Sequence, residues 1–317
     1  MEGEKGESGS ESLTSIFAAI IGNLLIAVIK FTASAFTGSS AMLTEGIHSV
    51  VDTGNGLLML LGVYKSRKPP DEAHPFGHGR ELYFWSMVVA FSIFGVGGGV
   101  SVYEGIVHLS RPAAEIVSPV WNYATLGAAF LFESITWMFG WKAFAKTRRG
   151  RRVLRTIHES KDPTSFTVLL EDSTALLGLL IAFVGVLLTS RYDAAYFDAA
   201  ASICIGLLMC LAALLLGYET KGLLIGEAVD KKTLAGIRQI AESEPGVVRA
   251  HKILTIYVGP EDVSLTLELE FEPRIDARYL RVAIRNIEQR IRESYSAVTR
   301  VYYSAESLTE RELETEL

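Results

Sequence analysis

The chain has 317 residues, 49% hydrophobic and 21% charged, with a net charge of −6, so the electrostatic drive toward nucleic acid is absent. Its apolar residues crowd between Ile16 and Leu216 in runs of roughly 20 or more, long enough to cross a bilayer, while the remainder from about Leu223 is charged throughout. That distribution excludes two soluble domains in favour of a membrane part followed by a small polar domain.

Residues 1–12 (MEGEKGESGSES) are acidic and rich in Gly and Ser, a composition expected to lack structure, and they lack the basic start of a signal peptide. Six spans are expected over 15–36, 39–63, 82–107, 120–143, 166–188 and 196–216, giving a transmembrane domain over 13–222 and a second domain over 223–317. An even count puts both termini on one side. Lys65, Arg67, Lys68 and Arg80 follow span two, and Lys146, Arg148, Arg149, Arg151, Arg152, Arg155 and Lys161 follow span four; the opposite loops hold Arg111 and Arg191. The positive-inside rule places both termini in the cytoplasm or its topological equivalent.

Span one carries Asn23 and Lys30, and Lys30 is deep enough to need a partner or to snorkel along its stem. Span two reads LTEGIHSVVDTGNG over 43–56. Its Glu45, His48 and Asp52 are spaced i, i+3, i+7 and share one stripe of a helix. Ionisable groups inside a membrane are costly, by a few kcal/mol or more each, and face a cavity or partner. Imidazole with carboxylate is ligand chemistry for a divalent first-row metal.

Span three contains GVGGG at 95–99, small residues that permit close helix packing, with Glu104 and His108 near the far interface and expected to be solvated. Span four has Glu133 near mid-membrane, expected to pair with Lys30 or to serve an ion or proton route, with the pairing favoured. Span five opens at Pro163, a good helix start, and carries Glu171 and Asp172. Adjacent residues point about 100° apart, so one faces the site and the other a neighbouring helix or water. Asp198 at the start of span six reads as a cap or interface residue. Cys204 and Cys210 form no CxxC pair and read as buried apolar thiols.

Beyond 223 the pattern changes. Residues 231–241 repeat apolar side chains at Leu234, Ile237 and Ile240, an amphipathic helix. Strands are expected over 247–257 and 263–271, the second alternating Val263, Leu265, Leu267, Leu269 and Phe271 inward. Asp276 is placed to cap a helix that buries Leu280, Ile284, Ile287 and Ile291, and 297–303 is a third strand before an acidic tail. The order αββαβ predicts a helix-backed, ferredoxin-like sheet.

The segments GSSAMLTEGIHSVVD (38–52), HPFGHGRELYFWS (74–86) and YEGI (103–106) resemble the cation diffusion facilitator family of divalent-metal/proton antiporters, and the spelling VLLED at 168–172 resembles its zinc transporter 9-like branch. The resemblance covers nearly the whole chain after the acidic start. It implies a metal site between spans two and five made of His48, Asp52 and Asp172 with Glu171; Glu45 on the span-two stripe and Glu133 in span four are secondary candidates from their positions alone. The family's usual second His of span five is replaced by Val168, which cannot ligate. One imidazole among carboxylates is a harder donor set, so Zn²⁺ is joined by Mn²⁺, Fe²⁺ and Co²⁺ as possible cargo.

The resemblance also implies a cytoplasmic loop site at Asp71, His74 and His78. In the second domain the positions matching the family's zinc cluster are His251, Leu267, Ser304 and Glu306, too few ligands for such a cluster; His158 in the basic loop reads as solvated. The implied function is Zn²⁺/H⁺ antiport by alternating access in a homodimeric, multi-pass membrane protein, of a bacterial inner membrane or, in a eukaryote, an organelle. Metal is the transported substrate and no cofactor is expected. A metal-dependent membrane enzyme would need a ligand set with a base, such as HExxH, and none occurs. The remaining rival is a membrane scaffold that binds partners and moves no ion.

Overall fold

The computed structural model describes residues 2–110, 119–148, 156–157, 160–194, 196–272 and 275–304. The basic stretch at 149–155, Arg111, His158, Glu306 and the acidic C-terminal tail lie outside them. The chain divides into two compact units: residues 1–65 with 81–221, and residues 66–80 with 222–317.

The first unit is helical: α1 (Glu2–Thr37), α2 (Ser40–Ser66), α3 (Glu81–Ser110), α4 (Pro119–Arg148), α5 (Pro163–Tyr192) and α6 (Tyr196–Ile225). Each extends beyond its expected apolar span. The first begins at Glu2, so the stretch expected to lack structure is helical; no proline interrupts it, and a helix nucleated by the apolar run propagates backward one bond per residue.

Among the described residues, four stretches are long and apolar enough to cross a membrane: Ile20–Thr37, Glu81–Ser110, Phe166–Tyr192 and Tyr196–Ile225. α2 and α4 fall short because polar side chains interrupt them, among them Glu45, His48, Asp52 and Asn55 in α2 and Glu133 in α4. Burial is arranged as lipid requires. Leu24, Leu25, Val28 and Ile29 point outward from α1, while Lys30 on the same helix is fully enclosed, too deep to snorkel. The same logic corrects the expectation for the cysteines: Cys204 is exposed and Cys210 half-buried, since an apolar thiol facing lipid needs no protein cover.

Helix ends follow local chemistry. Gly38 adopts φ 68 between α1 and α2, a left-handed turn that a side chain would strain. Ser39 Oγ accepts from the Met42 N–H (3.2 Å), and the α6 carboxylate of Asp198 accepts from Ser39 Oγ (2.7 Å) and the Ala41 N–H (3.2 Å). Asp198 thus caps α2 from a different helix. Asp162 caps α5, accepting from the Thr164 N–H at 3.0 Å, with Pro163 at the first turn.

Within α3, Ile93–Gly99 winds as a π-helix, a form that often marks a functional segment. Around it α3 and α6 approach to backbone contact: a Cβ on Gly206 would lie 2.8 Å from the Gly98 carbonyl oxygen and 2.8 Å from the Val102 nitrogen. Gly206→Ala is therefore expected to destabilise the helical unit by about 1–3 kcal/mol, the range for overpacking. Gly127→Ala in α4, whose Cβ would meet nothing within 4 Å, is expected to leave stability unchanged or raise it by up to about 1 kcal/mol through helix propensity. Thermal melts of the two detergent-solubilised variants check the opposite signs.

The second unit contains α7 (Lys231–Glu242), β1 (Val247–Gly259), β2 (Asp262–Phe271), α8 (Ala277–Ser294) and β3 (Val298–Ser304). β2 is central, antiparallel to β1 and parallel to β3. Val263, Leu265, Leu267 and Leu269 are buried against Ile237 of α7 and Ile287 and Ile291 of α8, following the period-two and 3.6-residue patterns of their elements. Asp276 caps α8 through the Arg278 N–H (2.7 Å). Residues 66–80 pack within this unit: Gly79 abuts Val258 and Gly259, and Phe76 meets the edge of Tyr302 and the guanidinium of Arg300, 5.9 Å away.

Candidate metal centre

The stripe on α2 splits into two functions. Glu45 lies one turn before His48 and turns to α1, where the Lys30 ammonium donates to Glu45 Oε2 and to Ser49 Oγ, each at 3.0 Å, with both charged side chains fully buried. The expected Lys30–Glu133 pair is replaced by this one. Glu45 and Ser49 sit four residues apart on one helix face, and each accepts from Lys30. Glu133 is buried with Oε1 lacking a hydrogen bond among the described residues, and it lies in the field of Lys30, Asp52, His48 and Glu45.

His48 and Asp52 turn the other way. His48 Nε2 lies 3.1 Å from Asp52 Oδ2, an ion-pair distance, with both side chains buried. A buried imidazole nitrogen beside a carboxylate is a donor pair with the chemistry to hold a divalent cation. Both line a cavity of about 10 Å³ with Ile93, Leu170, Glu171, Thr174 and Ala212, room for one water-sized occupant.

The two acids of α5 diverge as the helical angle requires. Glu171 faces the cavity, and its Oε1 accepts from Asn55 Nδ2 at 2.7 Å. Asp172 points toward α4, where a Cβ on Gly140 would lie 3.5 Å from its Oδ2. Sequence reasoning passed over Asn55, although it continues the α2 stripe three residues beyond Asp52. It also passed over Met209, whose Sδ lies 3.2 Å from His48 Nδ1; a methionine in an apolar run gives no signal of its own.

Among the described residues, the one group bringing three ligand atoms within 4.8 Å of one another is Asp71, His74 and His78. Asp71 Oδ1 accepts from the His74 backbone N–H (2.6 Å) and lies 3.2 Å from His74 Nδ1, while Oδ2 is 3.5 Å from His78 Nε2. The backbone donor, helped by both imidazoles, holds the Asp71 carboxyl below its ordinary value. In the sheet, His251 Nε2 meets Glu270 Oε2 at 2.8 Å and Leu267 is buried.

The family model described as "Cation efflux transmembrane domain" matches residues 16–225. The chain is 31% identical over 265 residues to the human mitochondrial "Proton-coupled zinc antiporter SLC30A9", covering 83% of this chain and 46% of that protein. It is 27% identical to metal tolerance protein C4 of Arabidopsis thaliana, covering 82% of this chain and 57% of that protein. It is 26% identical to the manganese efflux system protein MneS of Bacillus subtilis, covering 92% and 93%. The chain thus spans about half the length of the first two relatives.

Proposed function

The chain belongs to the cation diffusion facilitator family, in its zinc transporter 9-like branch, and from that premise we propose that it exports a divalent cation, Zn²⁺ first, in exchange for protons. The family is one of cation efflux transporters, not enzymes, and the chain is a multi-pass membrane protein. α2 and α4 cross the membrane with the four apolar helices, giving six spans with both termini on the side of the basic loops. The mitochondrial location of the human relative fits an organellar membrane.

The observation that carries the reading is His48 Nε2, buried and 3.1 Å from Asp52 Oδ2, in a cavity shared with Glu171. His48, Asp52 and Glu171 hold the ion, and Asp172 stands behind them. Ligand atoms around Zn²⁺ sit at about 2.0–2.2 Å from the metal, so α5 must close on α2 when the ion arrives. Protons compete for the same atoms, and this exclusion couples the two fluxes. Asp71, His74 and His78 form a second, cytoplasmic metal site.

The second unit is a ferredoxin-like domain through which two copies pair. Leu254, Thr266 and Tyr302 lie in one row across the sheet, with Leu254 and Tyr302 exposed, an apolar strip suited to a partner. A manganese-exporting reading is favoured by the carboxylate-rich donor set and is kept as the second choice.

Reconstituted in liposomes with a metal-sensitive dye, the protein is expected to move Zn²⁺ under an imposed pH gradient and to stop when the gradient is collapsed. Running Mn²⁺, Fe²⁺ and Co²⁺ in parallel ranks the cargo. Binding without flux of any of the four would leave the scaffold reading standing.

A further inference from the structure

Met209 is fully buried on α6, and its thioether sulfur lies 3.2 Å from His48 Nδ1. A thioether has no proton to give and can only accept. At this distance a hydrogen on Nδ1 would point at Sδ, whereas a lone pair there would face the lone pairs of sulfur. On the other side Nε2 lies 3.1 Å from Asp52 Oδ2, which also accepts; once a cation takes the lone pairs of Nε2 and Asp52 together, the neutral ring keeps its hydrogen on Nδ1, against Sδ.

A second feature bears on the same sulfur. Gly97, inside the π-helical turn of α3, lies directly against Met209: a Cβ there would overlap the Met209 methyl and lie 3.4 Å from Sδ. A glycine in an irregular turn thus leaves the space that the methionine tip occupies.

We infer that Met209 is a positioning residue for the metal site, its sulfur holding His48 in the tautomer that presents Nε2 to the ion. The inference rests on the reading of His48 as a metal ligand. Metal-bound imidazoles usually donate their second N–H to a carboxylate, a carbonyl or water, which fixes the ring and makes it a stronger donor. A thioether is a weak acceptor: it fixes the ring and adds little to its basicity. That combination suits a carrier, which must select its ion and then release it.

The test uses the full-length protein in detergent, with the loop ligands removed (D71N/H74A/H78A) so that Zn²⁺ titrates the membrane site alone against a fluorescent chelator. Met209→Leu keeps the bulk and removes the acceptor; Met209→Gln keeps an acceptor in its amide oxygen. The expected result is a Kd for Zn²⁺ about tenfold weaker in M209L, the lower end for losing such a partner, and within about threefold of the parent in M209Q. If Met209 only fills space, the order reverses, because Leu is the better-tolerated swap, and the inference falls. Should M209L not fold, M209Q alone decides by the same criterion. ¹⁵N spectra of labelled histidine in the Zn²⁺-loaded protein, assigned with His48→Ala, read the tautomer directly, and a hydrogen on Nε2 with the metal on Nδ1 would overturn the proposal. Zn²⁺ binding that survives His48→Ala would instead remove the metal-site reading itself, and the inference with it.

Discussion

Replacing His48 and Asp52 together by alanine is expected to reduce Zn²⁺ flux in liposomes to the level of protein-free vesicles. Loss of a group that merely supports a metal ligand costs 10–100-fold, so loss of two ligands should exceed about 100-fold. The fold should survive, since both side chains border a cavity and their removal takes away a buried carboxylate rather than stranding one. Flux that persists unchanged in a well-folded double variant would refute the site. The same assay separates the acids of α5. Glu171→Gln should cost more than Asp172→Asn, because Glu171 lies on the cavity wall and Asp172 is turned to α4.

The second large effect is on stability. Lys30→Met strands Glu45 as a buried carboxylate with no cation, and removing one partner of such a pair costs about 3–5 kcal/mol. Glu45→Gln alone should do similar harm by stranding the ammonium. The double variant, Lys30→Met with Glu45→Gln, contains no buried charge from the pair and should regain most of the loss. Unfolding midpoints of the three proteins in one detergent measure this. A double variant no better than the singles would mean that the two charges are not each other's principal partner.

The His48–Asp52 pair needs only helical spacing and the cost of ionisable groups in lipid, both readable along the chain. The partner of Lys30 was not readable: α2 and α4 each offered a carboxylate, and the structure sets Lys30 against Glu45 and Ser49. The division of labour between Glu171 and Asp172 was legible only as a necessity that they part, not as which goes where. Asp198 read as a cap, but the helix it caps is α2, over 150 residues away in the chain.

By itself the sequence determined the properties set by local periodicity and transfer energy: the apolar helices, the stripe of ionisable side chains on α2, the helix start at Pro163, the cap at Asp276, and the αββαβ order with its alternating central strand. Only the tertiary structure decided the properties that depend on which helix faces lie opposite one another. Those are the Lys30–Glu45 pair, the cavity shared by His48, Asp52 and Glu171, the sulfur behind His48, and the packing of residues 66–80 within the second unit. The physical reason is that spacing along a chain fixes the direction of a side chain about its own helix, whereas its partner is set by how the helices pack, and a neutral residue such as Met209 is marked only by where it lands.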